Sequence, residues 1–317
     1  MKNCETVKEI RHKMDFSTKD IPSGNSVNQN QSNPEQNPLI QRQANIQRLS
    51  LKNRILGLGF RDNAYGHLSR LTWIASHIRG SEKILEVGCG TGLMITFPLF
   101  CSGANIVGVD RDEASILLGR KIISETGLNP DFLNHGDIRD IHGTSEKWDV
   151  LILSEVLEHI KVEETPEILK TLNENLRPGG VLLITTPNGY GPFELESALW
   201  RILPPSLSTI ILRFMERVKR VLLGNRTDCP YPSSLDSSPH VRRFTPESLK
   251  ATFTSTDYTL TDFQGSVLLC GPLTNALITG FMPLMKLNRY LGMKFPRLSS
   301  GFRCAFRKNL TGDKNDE

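Results

Sequence analysis

Glu86-Val87-Gly88-Cys89-Gly90-Thr91-Gly92 closes the apolar run Lys83–Val87, and its reading decides the fold. A short aliphatic run followed at once by alternating glycines describes a buried strand that ends in a tight turn opening a helix. Glycine there permits positive φ and lets a ligand approach the backbone with no Cβ in the way. A dinucleotide-binding turn needs G-x-G-x-x-G and an acid about 20 residues further on. Here the third glycine comes one place early, Leu93 stands where that fingerprint wants Gly or Ala, and Glu86 precedes the first glycine by two residues. The spacing disfavours a nicotinamide or flavin pyrophosphate. A purely structural turn stays open on these residues alone.

Working outward, similar short runs lie at Ile106–Val109, Asp131–Asn134, Trp148–Leu153, Val181–Thr185, Tyr258–Phe263 and Phe302–Arg307. Helical stretches separate them. Upstream, apolar periodicity begins near Ile46 and is helical through Leu68, Leu71, Ile74, Ala75 and Ile78, with Gly80 as its stop. Another helix opens at Asp112 and is closed by Gly127; a third is capped by Thr165, carries Pro166 at its first position and stops at Pro178-Gly179-Gly180. Strand–helix alternation with near-continuous apolar strands predicts an α/β, doubly wound parallel sheet with helices on both faces. Such sheets bind ligands beyond the carboxyl ends of their strands, which directs attention to the post-strand loops.

Those loops carry acids in register. Asp110 ends the second run, where an ionised carboxylate can take two hydrogen bonds from a ribose diol, and Gly136-Asp137-Ile138 follows the third, suited to an adenine amino group and its flat face. With Trp148 to His159 around the fourth run and Leu176-Arg177-Pro178-Gly179-Gly180 before the fifth, residues 60–190 and 240–265 resemble the class I S-adenosylmethionine-dependent methyltransferases. The resemblance implies a Rossmann-like seven-stranded sheet, with helical insertions after strand five and between strands six and seven. It also implies S-adenosylmethionine as cofactor. Glu86, Gly88, Cys89, Gly90 and Gly92 would hold its methionine part, Asp110 with Arg111 its ribose, Asp137 with Ile138 its adenine, and Ser154 would complete the contacts.

The segment Glu155-x-x-Glu158-His159 resembles that of the ubiquinone-biosynthesis O-methyltransferases, whose glutamates and histidine are associated with a divalent ion. At i, i+3 and i+4, two carboxylates and an imidazole can converge on one face of a helical turn, and mostly oxygen donors suit Mg²⁺. Two other readings stand beside it. Glu155 can be a helix-start carboxylate near the cofactor with Glu158 and His159 as packing residues, or His159 can serve as general base. By the same resemblance His240, in His240-Val241-Arg242-Arg243-Phe244, lies near the substrate mouth, so the catalytic candidates are Glu155, His159 and His240.

Two stretches exceed what a minimal sheet needs. Residues 190–240 contain Leu207 to Leu223, in which Ile210, Ile211, Phe214, Val218, Val221 and Leu222 recur at helical spacing among Arg213, Arg217, Lys219 and Arg220, an amphipathic basic helix. Residues 268–300 are apolar around Leu277, Phe281, Met282, Leu284 and Met285, and from Phe263 to Gly312 there is no acid. A basic apolar surface can lie on an anionic bilayer or hold a lipid phosphate, and it can equally be a lid over the pocket.

Composition limits the alternatives. The 317 residues, 38% hydrophobic and 23% charged, suffice for a full core, and 38 Lys+Arg against 34 Asp+Glu give a net charge of +4, too small an excess to argue for nucleic acid. No aromatic platform alternates with the cations, so no nucleic-acid partner is expected. Six cysteines without a C-x-x-C pair indicate neither a zinc knuckle nor a disulfide framework. Residues 1–50, rich in Asn, Gln, Ser and Pro, and 313–317 read as disordered tails around a 51–312 domain. With no apolar signal stretch, a cytoplasmic protein is expected, with peripheral membrane contact through the insertions. The expected activity is methyl transfer from S-adenosylmethionine to an oxygen of a hydrophobic or amphipathic small molecule, isoprenoid, quinone-like or lipid-linked. A non-catalytic S-adenosylmethionine-binding subunit, or a methyltransferase acting on RNA or protein, is the alternative.

Overall fold

The computed structural model describes residues 50–58, 62–140, 147–223, 240–254 and 257–310. The expected tails lie outside these except for Ser50, which caps the first helix, and so do residues 224–239 of the first insertion. In chain order the elements are α1 (Leu51–Gly57), α2 (His67–Ser76), β1 (Lys83–Val87), α3 (Thr96–Cys101), β2 (Asn105–Asp110), α4 (Glu113–Ser124), β3 (Leu133–His135), β4 (Trp148–Ser154), α5 (Thr165–Asn175) and β5 (Leu176–Pro187). There follow α6 (Pro192–Ile202), α7 (Pro205–Leu223), α8 (Pro246–Thr254), β6 (Tyr258–Gly265), α9 (Pro272–Ile278), α10 (Met282–Lys294) and β7 (Gly301–Lys308). The seven strands form one sheet in the order β3-β2-β1-β4-β5-β7-β6.

Strand alternation explains the near-continuous apolar runs. Leu85, Val87, Leu151, Leu153, Leu182 and Ile184 turn to one face, where Ile168 and Leu172 of α5 and Leu249 and Phe253 of α8 cover them. Ile84, Ile106, Val150, Ile152 and Leu183 turn to the other, under Leu51 and Ile55 of α1, Leu71 and Ile74 of α2 and Leu99 of α3. Each fully buried aliphatic side chain here contributes about 2 kcal/mol by leaving water. The sheet is therefore covered on both sides, as a doubly wound architecture requires.

Several boundaries differ from the sequence expectation. The sheet is mixed: β7 runs antiparallel to both β5 and β6, because the second insertion returns the chain from the opposite end. The upstream helix is two helices, separated before Gly66, whose φ of 70° starts α2; α2 ends at Ser76, short of Gly80. Thr165 is the first residue of α5 and not its cap; a 3-10 turn, Val162–Glu164, runs straight into it, and the Thr165 hydroxyl donates to the Lys161 carbonyl (3.1 Å). Pro178-Gly179-Gly180 does not stop α5, which ends at Asn175; these residues form an irregular start to β5, with Gly179 at φ 72°. The glycine turn also does not open its helix directly, since α3 begins four residues later at Thr96. Asp112 does cap α4 as expected, accepting from the Ala114 amide (3.2 Å), and Thr245 caps α8 in the same way, accepting from the Ser248 amide (3.1 Å).

The described parts of both insertions are largely helical. Glu196 of α6 accepts from the Leu273 (2.6 Å) and Thr274 (2.9 Å) amides, satisfying the open donors at the start of α9 and tying the first insertion to the second. On the outside Ile202 is 79%, Phe214 64% and Val221 84% exposed, so these helices keep an apolar face uncovered. Among the described residues no helix is long and apolar enough to cross a membrane.

Candidate functional site

The three glycines of the first loop all lie at positive φ, 73° at Gly88, 56° at Gly90 and 71° at Gly92. They serve two purposes. A Cβ on Gly88 would sit 2.5 Å from Val156 Cγ2, and one on Gly92 would drive into Leu133, so these two allow the loop to pack. A Cβ on Gly90 would meet no protein atom within 4 Å, which leaves its backbone facing open space. The Gly90 amide is fixed from behind by Asp110, whose Oδ2 accepts it at 2.6 Å while Oδ1 accepts from the Asp112 amide at 2.8 Å. The Asp110 carbonyl in turn accepts from Gly136 (3.0 Å), which brings the tips of β1, β2 and β3 side by side as the sequence implies.

Glu86 and Cys89 lie beneath this loop. Glu86 is buried and accepts from the Thr96 hydroxyl, joining β1 to the first residue of α3. Burial pushes its carboxyl up to about 7. The unfolded chain, with a glutamate near the ordinary 4.5, therefore releases this proton first as pH rises, so the associated stability is complete below about pH 4.5 and is lost on rising through about pH 7. Glu86→Gln removes that loss: the wild-type melting temperature should fall relative to the variant between about pH 4.5 and 7. Parallel curves in a fluorimetric melt would contradict the assignment. Cys89 is also buried, its thiol pushed upward by burial, and it fills space that only a glycine at 108 leaves open, where a Cβ would lie 2.9 Å from its Sγ.

Asp137 sits at the tip of β3, but its carboxylate is engaged by Arg139 through Nε and Nη2, both at 2.8 Å, and these bonds hold it down to about 2. Ile138 packs against the main core. Arg111 is exposed, and its carbonyl lies 3.2 Å from His135 Nε2. The Ser154 hydroxyl is buried against that of Thr185 at 2.8 Å.

The segment after β4 departs from the helical-turn picture. Glu155 is the one non-glycine residue at positive φ among the described residues (58°), a conformation that costs free energy and persists only where neighbours enforce it. Its amide donates to the Thr185 carbonyl (2.8 Å), and its Oε1 accepts from Thr185 Oγ1 (2.8 Å) and pairs with Arg70 (3.0 Å). Glu158, in the 3-10 turn Leu157–His159, is turned inward: Oε2 accepts from Thr186 (3.1 Å), Oε1 is buried with no hydrogen-bond partner, and burial beside Glu155 raises its carboxyl well above the ordinary range. Glu155 therefore leaves the expected metal set. The groups that converge are Glu158, His159 and His240, with ligand atoms within 4.8 Å of one another. One carboxylate and two imidazoles do not fit Mg²⁺, which demands oxygen donors. No step is assigned to that ion.

His240 reaches this cluster from the loop before α8. Its backbone is tethered there, because the Glu158 carbonyl accepts from Val241 (2.9 Å) and Arg242 (3.1 Å). Its ring lies edge-on to that of His159, centroids 5.3 Å apart, and its Nδ1 is 3.0 Å from Glu194 Oε1 of α6. The structure thus brings His159 and His240 together and sends Glu155 to a different partner. Arg70 and Glu194 were not foreseen. Arg70 is a cation on a helix read only for its apolar face, and an Arg beside Leu71 is the one signal available; Glu194 lies 46 residues from its partner, with no local signal.

A mixed seven-stranded sheet with an open glycine loop at β1, an acid at the tip of β2 and a titratable cluster after β4 defines a nucleoside-binding α/β enzyme architecture. The chain belongs to the methyltransferase-domain family, whose family model matches residues 43–262, and within it to the class I S-adenosylmethionine-dependent methyltransferases. It is similar to the ubiquinone biosynthesis O-methyltransferase of Pasteurella multocida, 32% identical over 130 residues, or 38% of this chain and 52% of that protein. The Azorhizobium caulinodans protein of the same description is 32% identical over 106 residues, 33% of this chain and 40% of that protein. The chain spans about half the length of the curated relatives it matches. A solved S-adenosylmethionine-dependent methyltransferase from Methanosarcina mazei is 16% identical with a TM-score of 0.47, covering 75% of this chain and 97% of that one.

Proposed function

We propose that this chain methylates an oxygen of a hydrophobic or amphipathic small molecule, of isoprenoid, quinone-like or lipid-linked type. The observation that carries the cofactor half of this reading is the Gly90 backbone, held in a left-handed turn by Asp110 and open to space on its other side. Bound there, S-adenosylmethionine supplies an electrophilic methyl group on a sulfonium. Gly88, Cys89, Gly90 and Gly92 provide the backbone against its methionine part, with Glu86 supporting the loop from below. Arg70, paired to Glu155 beside this loop, is the cation for the methionine carboxylate. The Asp110 carboxylate has about four acceptor positions, of which two are used, and the rest suit two ribose hydroxyls. Asp137 and Ile138 flank the adenine; Arg111 and Ser154 complete the wall.

The chemistry asked of the protein is positioning and proton removal. While the acceptor oxygen gains the methyl group that bound S-adenosylmethionine would supply, its proton would pass to an imidazole of the His159–His240 pair. The oxygen acceptor and its apolar character are supported by the similarity to ubiquinone biosynthesis O-methyltransferases and by the apolar insertions. The test is incubation with methyl-labelled S-adenosylmethionine and a lipid extract of the source cell. Label is expected in a lipid-soluble small molecule. Label in RNA or protein, or tight S-adenosylhomocysteine binding without any transfer, overturns the acceptor assignment.

The same proposal places the acceptor at a bilayer surface. Exposed Ile202, Phe214 and Val221 accompany exposed Arg213 and Arg217, the composition of a helix lying on anionic headgroups. Sedimentation with phosphatidylglycerol vesicles is expected for the wild type, at least about 30-fold weaker for Arg213→Glu/Arg217→Glu, since each of the two basic residues lost contributes about 1 kcal/mol near such a surface and the new acids are repelled by it. Equal sedimentation of the two proteins would count against it.

A further inference from the structure

We propose that Glu194, in the first turn of α6, is a positioning residue that fixes His240 in a single tautomer and so presents its Nε2 as the acceptor of the substrate proton; this rests on the methyltransferase reading above. The geometry is specific. Glu194 Oε1 lies 3.0 Å from His240 Nδ1, and both side chains are 22% exposed, enough shielding for the bond to persist against water. An ionised carboxylate can only accept, so the hydrogen of the neutral ring sits on Nδ1 and the lone pair on Nε2. The reverse tautomer would set two acceptors against each other.

The rest of the surroundings supports the ring in that pose. The Glu158 carbonyl holds the backbone just after His240 through two amides, at 2.9 and 3.1 Å. Phe193, next to Glu194 on the same helix, lies against the His240 ring at 6.4 Å, and His159 lies edge-on at 5.3 Å. Among the described residues, Glu158 and His159 of the turn after β4 and Glu194 of α6 are the titratable groups that face His240. The arrangement gives the first insertion a task beyond covering the site. Its helix α6 carries two inward acids, Glu194 on the base and Glu196 on the start of α9, so the lid and the proton acceptor are set by one rigid element.

The proton balance is simple. Nε2 takes the acceptor proton as the oxygen–methyl bond forms; the resulting imidazolium is stabilised by the Glu194 carboxylate and releases its proton to solvent after product leaves.

The test uses the full chain with ¹⁵N-labelled histidine at about pH 8, above the ordinary imidazole pKa, with His240→Asn to assign the resonances. The wild type is expected to show widely split His240 ring-nitrogen shifts of the Nδ1–H form. In Glu194→Ala the split should collapse toward the average of the two tautomers, and the initial rate in the labelled-extract assay should fall at least about tenfold. Affinity for S-adenosylhomocysteine should stay within about twofold, showing an intact fold and cofactor site. Identical His240 shifts in wild type and Glu194→Ala overturn the proposal, as does an unchanged transfer rate. A rate abolished by chelator and restored by a transition metal would assign Glu194 to orienting a metal-bound imidazole, and also overturns it. Absence of S-adenosylhomocysteine binding in the wild type would sink the methyltransferase reading instead, and leaves the tautomer result readable on its own.

Discussion

Gly90→Val is expected to remain folded and to lose S-adenosylhomocysteine binding by at least about 100-fold, equivalent to about 2.7 kcal/mol, when measured by calorimetry. The two effects separate because of what surrounds this glycine. Its φ of 56° imposes a left-handed conformation that costs a Cβ-bearing residue about 1–2 kcal/mol, a loss a domain of this size tolerates. The added Cβ has no protein atom beyond its chain neighbours within 4 Å, so its steric effect falls on whatever occupies the open side of the loop. Gly88→Val is the contrast: its Cβ collides with Val156, so stability and binding should fall together. Retained affinity in Gly90→Val would mean that the ligand does not lie over this turn, and the cofactor assignment would fall with it.

Gly119→Ala should be the more damaging substitution to the fold. Gly119 lies in α4 with no strained φ, yet a Cβ there would sit 2.8 Å from the carbonyl carbon of Thr91, deep inside contact distance of the glycine loop's own backbone. Backbone cannot rotate aside as a side chain can, so α4 must move off the loop. We expect a loss of about 3 kcal/mol in urea unfolding, the upper end for overpacking, with weakened cofactor affinity because Thr91 lies between Gly90 and Gly92. Gly127→Ala, at φ 84° with nothing within 4 Å, serves as the control and should cost about 1 kcal/mol, the left-handed penalty alone. Equal losses in the two variants would show that helix–loop contact is not what makes position 119 special.

The sheet was largely readable from residues because its strands are buried on both faces. Lys83–Val87 and Trp148–Leu153 are mostly aliphatic after their first residues, interrupted only by Glu86 and Asp149, and those boundaries agree with the structure to within a residue. Strand direction carries no such mark. Nothing in Phe302–Arg307 distinguishes a parallel from an antiparallel partner, and the reversal of β7 follows from where the second insertion delivers the chain. The loop glycines and Asp110 were legible because chemistry confines them to strand ends. The cluster after β4 was misread for a local reason: i, i+3 and i+4 spacing converges only on a helical turn, and Glu155 at φ 58° turns out of one before it begins. Arg70 and Glu194 become visible only when elements distant in sequence are brought together.

The reversed strand has a consequence for how the molecule is made. β7 is hydrogen-bonded on both edges, to β5 along Val181–Pro187 and to β6 along Tyr258–Gly265, yet it is translated after both. A nascent chain leaving the ribosome must hold two unfinished edges apart until residue 308 has emerged, with Phe302, Cys304 and Phe306 still missing from the core. Co-translational folding can therefore proceed through β5, which pairs with β4, but cannot close. The interval before closure is when chaperone engagement and edge-to-edge aggregation compete for this polypeptide.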